Sequence, residues 1–200
     1  MGRVHPLIDW KAIGAIILST LIMVTDHYHN LFENFSQDMA LFYFILPVLF
    51  ILLVFRESPA EYGLRPGNWK LGLSISAISI LGLTFILPFI LRLDQFRQYY
   101  SASPGQTLPF IFRTTLGMIG WEFFFRGFLL FTLARIMGPY AILIQAIPFT
   151  LMHFGKPELE TLSCIFGGSA FGYLAWRTKS FFYPFIIHAY LAVMIVLLAK

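Results

Sequence analysis

The sequence predicts an all-α, polytopic integral membrane protein with seven to eight transmembrane helical segments, in a single domain over residues 1–200. Three observations carry this expectation. The 200-residue chain is 58% hydrophobic and only 12% charged, about half the charge of an average soluble domain. Its mean hydropathy is +0.75. Apolar runs of roughly the 20 residues that cross a bilayer as a helix recur along its length, separated by short polar linkers such as "RESPAEYGLRPGNW".

In chain order, spans are expected near 9–25, 38–56, 70–92, 106–137, 139–154, 158–177 and 181–199. The opening "MGRVHPLIDWK" is short and basic, with no small-residue cleavage site after it, so an uncleaved first span fits better than a removed signal peptide. Pro6 stands where a myristoylation start needs Ser or Thr. The fourth run is too long for a simple crossing. It is either steeply tilted or broken near Gly117 and Gly120, because glycine weakens a helix; a break there gives the eighth piece.

Charge narrows the partners. The net charge is +4, but the basic residues come singly and in pairs, which excludes a nucleic-acid surface. The 26–38 loop is acidic (Asp26, Glu33, Asp38), whereas Arg56, Arg65, Lys70, Arg135, Arg177 and Lys179 mark three basic turns. The positive-inside rule puts those turns and the N-terminus on the cytoplasmic side, with Arg92, Arg97 and Lys156 opposite. The expected location is the cell membrane, multi-pass, with membrane lipids as partners. The single cysteine, Cys164, excludes a disulfide within the chain and says nothing about compartment.

Against this apolar background the ionisable residues inside the spans stand out. Glu122 and Arg126 share a helical face at i, i+4, with the acid on the N-terminal side, the better order for a pair. A charge at mid-bilayer costs roughly 2.5–3.5 kcal/mol, so both should face the bundle interior. His153 ends "FTLMH" in a second span and His188 begins "HAYLA" in a third. At about 1.5 Å per residue, Glu122 and His153 lie at matching depth, and His188 lies one to two turns away. A carboxylate or a neutral imidazole can take a proton from water, and a second histidine can donate to a developing oxyanion. Arg126 would hold the carboxylate in place. A Glu/His/His set also suits a metal, but no H-E-x-x-H helix is present, and neither a metal nor another cofactor is expected.

The ordered set "EFFFRG", "FTLMH" and "HAYLA", each in its own apolar span, resembles the motifs of the CAAX protease and bacteriocin-processing family, also called the Abi family. The resemblance covers roughly residues 105–199. It implies an eight-helix intramembrane endopeptidase in which paired glutamates and the first histidine activate water and the second histidine and an asparagine bind the oxyanion. Carried over, Glu122 matches the second glutamate, Arg126 the arginine, His153 the first histidine and His188 the second. The implied activity is metal-independent hydrolysis of a peptide or protein substrate within or near the membrane.

Two positions depart from that pattern. Trp121 stands in place of the first glutamate, the family's water activator, and Ala192 where an asparagine is found. Tryptophan cannot take a proton, and alanine cannot donate a side-chain hydrogen bond to an oxyanion. Either Glu122 takes over as base, or another acid replaces the missing one, or the chain is a catalytically silent member acting as a membrane binding, immunity or scaffold protein. "HFGKPELE" offers Glu158 and Glu160 as replacements, with Glu160 the stronger candidate beside His153. Both acids also suit an ordinary helix start after Pro157. Phe123, Phe124, Phe125 and Phe128 surround the Glu122/Arg126 pair and read as lipid-facing or interhelical filler. Gly167, Gly168 and Gly172 read as a close helix-packing face.

Overall fold

The computed structural model describes residues 9–29, 31–32, 35–101 and 107–200. The N-terminal stretch 1–8 and Glu33, on which readings of leader and loop charge rest, lie outside the described residues. Asp9 opens the first helix, its carboxylate accepting from the Lys11 and Ala12 N–H groups that a helix start leaves unpaired. This is Trp10–Tyr28 (α1). Ser36–Phe55 (α2) follows, with π-helical stretches at Leu41–Ile45 and Ile51–Phe55. Asn68 caps Trp69–Ile90 (α3), and a short helix, Asp94–Tyr100 (α4), follows it.

Thr107–Glu122 (α5) runs without a break through a π-helical stretch, Phe123–Leu129, into Leu130–Met137 (α6). The remaining helices are Ala141–Leu151 (α7), Glu158–Thr178 (α8) and Phe182–Leu198 (α9). The described residues contain no strand.

The expected break at Gly117 and Gly120 is absent, and packing explains the glycines instead. A Cβ on Gly120 would lie 2.6 Å from the Met39 carbonyl oxygen, and one on Gly117 would lie 3.4 Å from the Met39 sulfur. The two glycines let α2 approach α5 backbone to backbone. Gly127 does the same for the 59–62 turn, since a Cβ there would meet the Tyr62 carbonyl oxygen at 2.8 Å.

Three helical stretches are long and apolar enough to cross a membrane: Ser36–Phe55, Trp69–Ile90 and Thr107–Leu151. The last fuses two of the expected spans. Phe182–Leu198 is apolar but shorter. Lys11, Asp26 and His27 near the ends of α1, and Glu158, Glu160 and Arg177 near those of α8, dilute the apolar character of those helices. Ile78, Phe85 and Phe166 are 72%, 66% and 78% exposed. Large apolar side chains left uncovered on the outer faces of helices indicate lipid as the solvent.

The basic turns meet at one end of the bundle. Asn68 N–H donates to the Thr178 carbonyl at 2.8 Å and Phe181 N–H to that of Gly63 at 3.2 Å. Arg135 donates to Glu57 at 2.9 Å. The π-helical stretch lies in the core, where Phe123, Phe124, Phe125 and Phe128 are fully buried against rings from α2 and its neighbours. They are interhelical core and do not face lipid.

Candidate functional site

The site begins at the junction of α5 with its π-helical continuation. Glu122 ends the regular turns, and the wider helix carries Arg126 inward with it. Such π-bulges are frequent at functional sites. Both side chains are fully buried, with Arg126 Nε 3.3 Å from Glu122 Oε2. That contact is ionic and lacks hydrogen-bond geometry, since Nε, Nη1 and Nη2 of Arg126 and Oε2 of Glu122 have no hydrogen-bond partner among the described residues. The guanidinium stacks instead on Phe149, 3.8 Å from the ring centroid, with Phe171 at 5.5 Å and Phe125 at 5.7 Å. A desolvated cation over an aromatic face is held by the ring quadrupole.

Glu122 makes its hydrogen bond across helices. His188 Nδ1–H on α9 donates to Glu122 Oε1 at 2.6 Å, which turns the other ring nitrogen of His188 away from the acid. His188 lines a cavity of about 410 Å³; Glu122 and Arg126 do not. Glu122 therefore lies behind His188, as an orienting carboxylate does behind a functional imidazole.

His153 lines the same cavity, in the turn after α7. Its Nδ1–H donates to the Phe149 carbonyl at 2.7 Å, leaving Nε2 as the acceptor. The Trp121 indole lies edge-on against the ring, centroids 5.9 Å apart, and fixes it from behind. The Trp121 Nε1–H itself has no partner among the described residues. Phe149 lies between the two histidines, its ring centroid 4.6 Å from that of His153 and 6.0 Å from that of His188. Their separation cannot exceed the sum of those two distances.

The first turn of α8 closes another wall. Thr161 Oγ1 donates to the His153 carbonyl at 2.8 Å and the Lys156 N–H to the same oxygen at 3.1 Å, tying that turn to the histidine. Glu160 lines the cavity and pairs with Lys156 Nζ at 2.8 Å. Tyr100, from α4, donates to both Glu160 oxygens at 2.7 Å. Glu158 is not part of this wall. Ala192, Cys164 and Gly167 line it too. Gly167 has open space beside it, whereas Gly168 and Gly172 pack against Phe149 and Gln145 of α7. No three His, Cys, Asp or Glu side chains among the described residues are grouped as metal ligands.

Sequence reasoning found Glu122, Arg126, His153, His188 and Glu160, and the structure gathers them around one cavity, Glu122 and Arg126 in a layer behind its wall. It missed Tyr100, Lys156 and Phe171. The i, i+4 spacing of Lys156 and Glu160 was a readable signal; nothing in the sequence points from Tyr100 to a helix 60 residues later.

Residues 103–194 match the family Rce1-like, described as Type II CAAX prenyl endopeptidase Rce1-like. Over these 92 of the 200 residues the chain is similar to the CAAX-protease family. No curated protein and no solved structure matches the chain. Every motif residue of the CAAX-protease pattern, from Trp121 through Ala192, falls inside the matched region, as do Lys156 and Glu160; Tyr100 and the first three long helices precede it.

Proposed function

We propose that the chain is an intramembrane endopeptidase of the CAAX-protease type, hydrolysing a peptide bond with a water activated by protein side chains. In this reading the chain is multi-pass in a cell membrane, with α1, α8 and α9 joining the three long apolar stretches as crossings. The observation that carries the proposal is the pairing of His153, whose Nε2 is free to accept, with Glu160 on the wall of one cavity that also presents His188.

His153 Nε2 takes a proton from water as the water oxygen attacks the substrate carbonyl carbon. Glu160 orients that water, supplying the negative charge the family keeps at the position of Trp121. His188 donates from its cavity-facing nitrogen to the oxyanion, with Glu122 balancing the charge on the ring. The C–N bond then breaks as the proton held by His153 passes to the departing amine. Base catalysis of this kind is worth about 10²–10⁴-fold, and a lost oxyanion donor about 10²–10³-fold. Phe149, Phe171, Leu87, Leu191 and Ile195 give the cavity a largely apolar lining, which lowers the local dielectric and strengthens each electrostatic contact inside. The substrate is a peptide or protein segment in or beside the membrane.

Cleavage of a fluorogenic peptide in proteoliposomes tests the proposal. His153→Ala should lower kcat by at least about 100-fold with the unfolding transition unchanged; equal turnover in the variant would overturn it. Trp121 and Ala192 favour a second reading, a silent family member that binds a membrane peptide without cleaving it. Peptide binding with no wild-type turnover would support that reading.

A further inference from the structure

Glu160 is held by two donors of different kinds. Lys156, four residues earlier, is an i, i+4 partner with a side chain 33% exposed, and pairs of that sort hold a carboxylate weakly. The second donor comes from a separate element. The Tyr100 hydroxyl lies 2.7 Å from both Oε1 and Oε2 of Glu160, and Lys156 Nζ lies 3.2 Å from the same hydroxyl. Three groups, from α4, α8 and the turn before α8, thus close a triangle at the cavity wall.

The element carrying Tyr100 is anchored. Phe96, one turn earlier on α4, is buried with Leu87, Leu91, Ile195 and Ala199. The hydroxyl is therefore delivered from a packed helix. Burial and then the charge of Glu160 push the Tyr100 phenol above its ordinary pKa, so it remains a donor throughout the working range of pH. A phenol delivered from a packed helix and equidistant from both oxygens restrains the carboxylate more tightly than a flexible ammonium on the turn before α8 does.

We propose that Tyr100 is a positioning residue for hydrolysis, locking the Glu160 carboxylate in the orientation that receives the attacking water. This rests on the reading of Glu160 as the water-orienting acid. Because Phe96 and Tyr100 both wall the cavity, α4 couples the shape of the cavity to the alignment of its acid.

The test is a kinetic cycle in proteoliposomes with the same fluorogenic peptide. Tyr100→Phe keeps the ring and removes the donor. It should lower kcat about tenfold or more with KM within about twofold, as a loss confined to the transition state does. In the Glu160→Gln background the same change should have no further effect, because Tyr100 acts through Glu160. A full additional loss in that background, or an effect on KM alone, overturns the proposal. Turnover of Glu160→Gln at the wild-type rate instead sinks the role of Glu160 itself, so the two failures are told apart. A second measurement needs no change at position 100. The infrared difference between wild type and Glu160→Gln should show a tyrosine C–O band displaced together with the carboxylate band. A carboxylate band alone contradicts the contact.

Discussion

Glu122→Gln removes the charge from a fully buried acid and leaves its shape. Arg126, also fully buried, then has no counterion, and none of its nitrogens has a hydrogen-bond partner among the described residues to compensate. Removing one partner of a buried pair costs about 3–5 kcal/mol, most of it the uncompensated charge. The stacking of Arg126 on Phe149 survives the substitution and does not offset this. The double variant Glu122→Gln/Arg126→Met removes the orphan charge as well. It should be more stable than the single variant, recovering at least about 2 kcal/mol, since buried pairs replaced together are often neutral. Glu61→Gln serves as control: its side chain is 58% exposed, and its loss should change stability by no more than about 0.5 kcal/mol. Unfolding by SDS titration in mixed micelles measures all three. A single variant within about 1 kcal/mol of wild type, or a double variant no more stable than the single, would refute the reasoning.

Other expectations follow from the same contacts. Gly120→Ala sets a methyl 2.6 Å from a backbone oxygen that cannot rotate away and should cost about 1–3 kcal/mol. Gly82→Ala meets nothing within 4 Å and should stabilise by about 0.5–1 kcal/mol; the same titration reads both, and equal effects would contradict the packing argument. At the basic end, hydrogen bonding from Arg135 lowers the Glu57 carboxylate from 4.5 to about 2. That contribution is fully present above pH 4.5 and is lost as pH falls toward 2. It is worth about 1–2 kcal/mol after solvent screening, and a Glu57→Gln variant should lack this part of the acid dependence. Cys164, the chain's single cysteine, lines the cavity. A small thiol reagent should therefore block peptide turnover in wild type and not in Cys164→Ser; labelled wild type with full turnover would place the substrate elsewhere.

The sequence disclosed those parts of the site that lie on one helix face or within one motif. Glu122 and Arg126 were legible because i, i+4 spacing survives the change from α- to π-helical turns. His153 was legible with Phe149 from the same i, i+4 spacing, which holds into the turn after α7. The contact between His188 and Glu122 spans 66 residues, and no local pattern encodes it. Gly117 and Gly120 misled in the opposite direction, because a glycine that weakens a helix and a glycine that admits a neighbour look alike until Met39 is seen against them. Tyr100 sits in a polar linker whose short helix is held by one buried ring, Phe96, too little to produce a periodic signal. In α1 and α8 the terminal charges belong to the same helix as its apolar centre, so a length-and-hydropathy measure marks three stretches where the sequence suggests seven or eight.

The central claim is that Glu160 carries the acid function absent at Trp121. Its most direct test is single-turnover cleavage of a membrane-delivered peptide by wild type, Glu160→Gln and Glu122→Gln, each reconstituted in the same lipid. The account predicts turnover in wild type and a loss of about 100-fold or more in Glu160→Gln, measured on protein that unfolds as wild type does. It also predicts that Glu122→Gln, compared at a temperature where both variants are folded, retains more activity than Glu160→Gln. Wild-type rates in Glu160→Gln would contradict it.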